Sequence, residues 1–178
     1  LSVRSLGVWA AVVAAVPLGI GLYALYLWRT FGNPLTFVAL QSTVWQRQTE
    51  PPWTWIGLTL GAWRQMPHWS FEQARTLVDL VPLLACIALT AVMIRLRWPG
   101  IYILYMLGVL YTAVSNPMIH NLYPLAAAGR YLLPAIPAFL LLARWSRAHP
   151  ALQTALVTGG FALQALFIAY FLNGGWLI

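Results

Sequence analysis

The sequence predicts an all-α polytopic membrane protein with about five transmembrane helices. Only 7% of the 178 residues are charged and 61% are hydrophobic, whereas soluble domains carry about 25% charged residues. Apolar runs recur along the chain, several near the length of about 20 residues that crosses a bilayer. Trp28, Trp98 and Trp145 fall near the ends of these runs, at the interfacial depth that indole rings prefer.

Five spans are predicted in order along one membrane unit that covers residues 1–178. They are Leu6–Trp28, Leu77–Ile94, Gly100–Val114, Tyr131–Ala143 and Ala151–Leu172, the fourth extended backwards by weakly polar chain from Leu122. The chain begins with Leu1 and carries no signal-peptide pattern, so we expect it to be the C-terminal part of a longer polytopic protein.

The distribution of arginine predicts the orientation of these spans. Two short connections and the N-terminus carry the arginines Arg95 and Arg97, Arg144 and Arg147, and Arg4. With five spans all three places lie on one side, which the positive-inside rule makes cytoplasmic. Residues 29–76 and 115–130 then face outside. All ten basic residues are arginine, a usage typical of GC-rich coding sequences that favours a bacterial plasma membrane.

We interpret the net charge of +7 as that of arginines that orient the spans in the membrane and bind phosphate. Basic and aromatic residues do not alternate on a soluble face, so no nucleic-acid partner is expected. The expected surroundings are the lipid bilayer.

The first outer segment, residues 29–76, is too long for a plain connection, and we predict two short amphipathic helices in it at the outer interface. The first of these helices has an apolar face and a polar face. The apolar face comprises Leu35, Val38, Leu40 and Trp45, and the polar face comprises Gln41, Gln46 and Arg47. Pro51 and Pro52 are placed to open the second. Two interpretations stay open. The helices cap the bundle, or they line an entrance for a lipid-linked substrate.

The second outer segment ends at Arg130, in the stretch "GRYLLPAIPAFLLLA". A charged side chain at membrane depth costs roughly 2.5–3.5 kcal/mol. In one interpretation Arg130 extends to the interface. In the other it binds a phosphate through its planar fork of donors, beside a helix that Pro134 and Pro137 bend. Tyr131, His120 and Arg47 are further candidates for this lipid-phosphate environment.

No self-sufficient catalytic group is apparent in the sequence. The acids are Glu50, Glu72 and Asp79, and we expect Asp79 to pair with Arg75 one helical turn earlier. The histidines lack metal-ligand spacing, and the single Cys86 permits no disulfide within the chain. We expect no cofactor and no metal site, with a divalent cation left open.

Two stretches resemble one family of membrane enzymes. "FGNPLTFVALQSTVWQR" (31–47), followed by "PPW", and "GRYLLPAIPAFLLLA" (129–143) resemble segments of the PIG-V-like mannosyltransferases, which are polytopic glycosyltransferases of the GT-C class. The resemblance runs from about residue 20 to residue 145.

The resemblance implies an inverting enzyme that transfers a sugar, mannose in this family, from a polyprenyl-phosphate-linked donor. The acceptor, an unknown glycan, lipid or protein, would be modified on the extracytoplasmic face. Arg130 would stabilise the leaving phosphate, with Tyr131 beside it. Gln41, Trp45 and Arg47 would line the substrate site, as would His120. The family's catalytic acid lies near the N-terminus, so the base is expected upstream of this chain, and Glu50 is its only substitute here.

Two other classes stay open. A transporter or flippase for lipid-linked molecules also uses a kinked helix and a buried charge, although symmetry between its halves would be expected. A non-catalytic membrane subunit that packs against an enzyme is the other.

Overall fold

The computed structural model describes residues 3–68 and 70–172 of the chain. Within these ranges the helices are, in order, α1 (Val3–Phe31), α2 (Thr36–Thr43), α3 (Thr54–Gln65), α4 (Phe71–Arg95), α5 (Gly100–Val114), α6 (Ala128–Tyr131), α7 (Ile136–Ala148) and α8 (Pro150–Leu172). The described residues contain no β-strand. The chain is therefore an all-α polytopic membrane protein, as the sequence predicted.

Three helices are long and apolar enough to cross a membrane. They contain the segments Val13–Phe31, Phe71–Arg95 and Pro150–Ala169, which correspond to the first, second and fifth predicted spans. The third predicted span is α5, with the predicted bounds, an apolar helix of 15 residues.

The fourth predicted span is not one continuous helix. Helix α6 ends at Tyr131, the chain leaves helical geometry over residues 132–135, and α7 begins at Ile136. Pro134 supplies no backbone N–H and disfavours helical geometry at the residue before it. Pro137 lies within the first two positions of α7, where a missing N–H costs nothing. The prolines thus separate two helices where a bend was predicted.

The chain divides into two compact units, residues 1–47 and 48–178. In the first, the N–H of Gly32 donates to the carbonyl oxygen of Trp28 at 2.9 Å, and its φ of 72° is the left-handed conformation that ends many helices. The Asn33 side chain accepts from the N–H of Leu35 at 2.8 Å and leads the chain into α2.

Helix α2 is shorter than the predicted amphipathic helix. It ends at Thr43, so Trp45, Gln46 and Arg47 lie beyond it and do not share a helical face with its residues. Gln46 has a φ of 52°, which is incompatible with continued right-handed helix. The second predicted helix of this segment is α3, which begins at Thr54, shortly after the two prolines.

The second unit packs α4, α5, α6 and α7 around a common core, with α8 against α7. Its largest fully buried apolar side chains are Leu83, Met93, Met106 and Leu141. Helix α4 begins at a Ser-x-x-Gln capping sequence, in which the Ser70 hydroxyl accepts from the N–H of Gln73 at 3.3 Å. Tyr105 of α5 contacts the chain between α6 and α7, where its hydroxyl donates to the carbonyl oxygen of Pro134 at 3.0 Å.

The Tyr105 hydroxyl is the second donor to the Pro134 carbonyl, which also accepts from the N–H of Ile136 at 2.6 Å, so Tyr105→Phe should lower the free energy of unfolding by roughly 1 kcal/mol. The midpoint of thermal unfolding, followed by circular dichroism in detergent micelles, should fall by about 2–4 °C. Tyr111→Phe on the same helix is the matched control and should leave the midpoint unchanged. Equal midpoints for all three proteins would mean that the prolines alone maintain the break.

Candidate functional site

The carboxylate of Asp79 caps helix α6 from a neighbouring helix. Its Oδ1 accepts a hydrogen bond from the backbone N–H of Gly129 at 2.8 Å, and the N–H of Ala127 also hydrogen-bonds to the carboxylate. The first N–H groups of a helix have no partner within it. Asp79 therefore satisfies the start of α6 and fixes this four-residue helix against α4.

The backbone at the start of α6 fits closely against this carboxylate. A Cβ atom at Gly129 would stand 3.3 Å from Oδ1 of Asp79, so glycine allows the two helices to approach. Ala127, which is 3% exposed, has a φ of 70°, a left-handed conformation that costs a residue with a side chain about 1–2 kcal/mol. The hydrogen bonds of Asp79 help to hold the chain in this conformation.

Burial of the Asp79 carboxyl group works against its charge and is the largest effect on it, whereas Arg75 from α4 and Arg130 from α6 favour the charge electrostatically. The expected interaction between Asp79 and Arg75 is thus present, but it is not exclusive. The guanidinium carbon of Arg75 also lies 4.2 Å from the ring centroid of Tyr123, a cation–π geometry. One carboxylate beside two guanidinium groups leaves one positive charge in excess. We refer to Arg75, Asp79 and Arg130 as the charge cluster.

Arg130 and Tyr131 lie on the last residues of α6, and both side chains are exposed. Their backbone N–H groups both point to the carbonyl oxygen of Ala127, at 3.0 and 3.4 Å, so the turn that Asp79 caps also positions them. The surplus positive charge of the cluster is therefore accessible from outside the packed core. This arrangement can bind an anion such as a phosphate.

An apolar groove of about 400 Å³ lies along part of α4. Its walls come from α3, α4, α5 and the chain just before α3, and its lining includes Trp53, Ile56, Leu83, Ile87, Leu107 and Tyr111. Leu83 and Ile87 follow Asp79 on α4 by one and two helical turns, so the lining of the groove lies about 6 and 12 Å along the helix from the carboxylate. The groove can take an unbranched or isoprenoid apolar chain.

His120 lies at a different cavity of about 360 Å³, between α3 and residues 119–124. The α3 wall is formed in part by Gly57 and Gly61, where an added Cβ would meet no atom within 4 Å. The exposed His120 lines this cavity together with Gln65.

The remaining predicted site residues, Gln41, Trp45 and Arg47, belong to the first compact unit, whereas His120, Arg130 and Tyr131 belong to the second. Gln41 and Arg47 lie together, because the N–H of Arg47 donates to the carbonyl oxygen of Gln41 at 2.9 Å. Trp45 and Gln41 are exposed and Arg47 is half-buried.

Glu50, the predicted substitute for the catalytic base, is half-buried near the start of the second outer segment. Its backbone N–H donates to the carbonyl oxygen of Ser115 at 2.9 Å. The Thr49 hydroxyl donates to the side-chain oxygen of Asn116 at 3.0 Å. These bonds fix residues 49 and 50 to the end of α5.

The contact between Asp79 and Gly129 is the part of the site that sequence reasoning missed. Two features of the sequence indicate this contact: an acid inside an apolar span needs a partner, and a glycine directly precedes Arg130.

Among residues 3–68 and 70–172, no group of three or more His, Cys, Asp or Glu side chains could hold a metal ion. No protein-family model, curated protein or solved structure matches the chain.

Removal of the Asp79 carboxylate should release the start of α6. In Asp79→Ala, amide hydrogen exchange of residues 127–131 should accelerate by about tenfold, since a hydrogen bond to a charged group contributes roughly 1.5–3 kcal/mol. Asp79→Asn keeps an acceptor oxygen and should accelerate exchange less. Exchange is measured by mass spectrometry in detergent micelles.

Glu72→Ala, which removes another carboxylate from the same helix, is the control and should leave exchange of residues 127–131 unchanged. Unchanged exchange in Asp79→Ala would show that packing alone holds α6.

Proposed function

We propose that this chain is the phosphate-binding part of a membrane glycosyltransferase of the GT-C class, similar to the PIG-V-like mannosyltransferases. It would transfer a sugar, mannose by that likeness, from a polyprenyl-phosphate donor to an acceptor on the extracytoplasmic face of a bacterial plasma membrane. The supporting observation is that Asp79 of the charge cluster lies one helical turn before Leu83, which lines an apolar groove. A ligand with an anionic head and a long apolar tail needs both.

In this proposal Arg130 binds the phosphate that leaves the sugar. Charge develops on that phosphate as the glycosidic bond breaks, and a cation held in place beside it would stabilise that charge. The planar guanidinium can donate two parallel hydrogen bonds to phosphate oxygens. Tyr131, the adjacent exposed residue, would add a third donor.

Asp79 acts as a positioning residue in the proposed mechanism. Its carboxylate accepts backbone hydrogen bonds from α6 and lies beside two arginines, so it stabilises the turn that carries Arg130. The general base that deprotonates the acceptor is proposed to lie upstream of this chain. Gln41, Trp45, Arg47 and His120 are proposed to contact other parts of the donor or acceptor.

The apolar groove is proposed to hold the first isoprene units of the donor lipid. Burial of apolar surface contributes about 25 cal/mol per Å², and a groove of about 400 Å³ lies within the range of known ligand sites, about 300–1,000 Å³. The rest of a long polyprenyl chain would extend into the bilayer.

A second candidate function is a non-catalytic membrane subunit. Helix α8 packs against α7, but none of the residues in its spanning window is buried within the described chain. Its surface is therefore open to other helices as well as to lipid, which suits a chain that packs against a partner.

The proposed phosphate site can be tested by ligand binding, without the catalytic base. The probe is undecaprenyl phosphate, titrated in detergent micelles and followed by tryptophan fluorescence, with undecaprenol as the uncharged reference. Arg130→Gln should weaken binding of the phosphate by about tenfold or more, because a charge-assisted hydrogen bond contributes roughly 1.5–3 kcal/mol. Binding of undecaprenol should stay the same.

Arg64→Gln, which removes an exposed arginine near the end of α3, is the matched control and should bind the phosphate like the wild type. In native membranes, Arg130→Ala in the complete protein should greatly reduce mannose transfer while membrane insertion is unchanged. Equal undecaprenyl phosphate binding by wild type and Arg130→Gln would refute the phosphate site and favour the subunit function.

A further inference from the structure

A second cleft lies at the opposite end of the second unit from the charge cluster. It has a volume of about 660 Å³ and lies between the turn that joins α4 to α5 and the last turns of α7. Its lining combines two arginines with three aromatic residues: Arg97, Arg144, Trp98, Tyr102 and Trp145. The fully buried Leu141 contributes an apolar surface beneath them.

The walls of this cleft are held in place by local bonds. Arg97 has a φ of 54°, and its N–H donates to the carbonyl oxygen of Ile94 at 3.1 Å. The N–H of Trp98 donates to the carbonyl oxygen of Met93 at 3.0 Å. The Trp98 ring meets the ring of Tyr102 edge to face, with centroids 5.8 Å apart. A ligand would therefore enter a preformed site.

The positive charge of the cleft is not neutralised by an acid of this chain. The three acids of the sequence are Glu50, Glu72 and Asp79, and the nearest of them along α4, Asp79, is about 24 Å from Arg95. The carbonyl ends of α4 and α7 offer only the partial charge of the helix dipole. Both arginine side chains of the cleft are exposed, so an external anion can reach them.

We propose that this cleft binds the headgroup of an anionic phospholipid at the membrane interface. The two guanidinium groups would hold the phosphodiester, and the indole rings of Trp98 and Trp145 would lie at the headgroup level that tryptophan prefers. The apolar surface at Leu141 and Tyr102 would contact the glycerol and the upper acyl chains. Basic pockets between transmembrane helices are a known setting for anionic headgroups.

Several observations favour a lipid over a soluble phosphate. The cleft opens between helix ends that the sequence places at a membrane interface. Leu96, another lining residue, is 52% exposed, and an apolar side chain beside two arginines suits an amphipathic ligand. The arginine density of these turns also predicts the cytoplasmic side, where anionic lipids concentrate. The site is separate from the proposed donor site.

The test reconstitutes the full chain in phosphatidylcholine nanodiscs and titrates in dioleoyl phosphatidylglycerol. Lipids retained after release into the gas phase are counted by native mass spectrometry. The wild type should retain phosphatidylglycerol about tenfold better than added dioleoyl phosphatidylcholine. The double variant R97Q/R144Q should reduce this preference to about twofold or less, and each single variant should reduce it by about threefold.

The matched control is R95Q/R147Q, which removes the same charge from the same two turns but from outside the cleft lining. It should keep the preference of the wild type. An equal loss in both double variants would mean that surface charge, and not the cleft, selects the lipid. Inorganic phosphate at the concentration of the lipid should not displace phosphatidylglycerol. Displacement would show that the cleft binds a soluble anion.

Discussion

The hydrogen bond from the backbone of Gly129 to Asp79 is the interaction on which the rest of the second unit depends. Irregular backbone at membrane depth persists only where the protein itself satisfies its polar groups. Asp79 does so for the start of α6, and Tyr105 does so, together with the N–H of Ile136, for the carbonyl of Pro134 after it. Two side chains from two neighbouring helices thus allow the fourth apolar segment to break in the middle.

The same carboxylate explains how an arginine is accommodated in an apolar segment. An isolated charge at membrane depth is costly, but Asp79 interacts electrostatically with both Arg75 and Arg130. Because the acid neutralises only one of the two bases, the cluster retains an attraction for anions. Arg130 therefore interacts with an acid of the chain and has an exposed side chain, and both interpretations that the sequence left open stay predictions.

The local sequence pattern predicted the helices whose bounds depend on nearby residues. Helix α5 has its predicted bounds, and α4 and α8 extend the second and fifth predicted spans by a few residues, because hydropathy and caps are properties of short stretches. The break after Tyr131 was predicted only as a bend. Proline weakens a helix, but whether the helix bends or separates depends on partners such as Asp79, which is fifty residues from Gly129. Contacts of that range leave no local pattern.

Helix α4 joins two environments that both carry an excess of positive charge. Near its start, an acid compensates one of two arginines beside an apolar groove, whereas beyond its end two arginines and aromatic rings surround a cleft without a carboxylate. The distance between them, about 24 Å along a rigid helix, approaches the hydrocarbon thickness of a bilayer, about 30 Å. Under the two proposals, phosphate groups at opposite interfaces would then fix the depth of α4 in the membrane, and with it the height at which Arg130 meets its ligand.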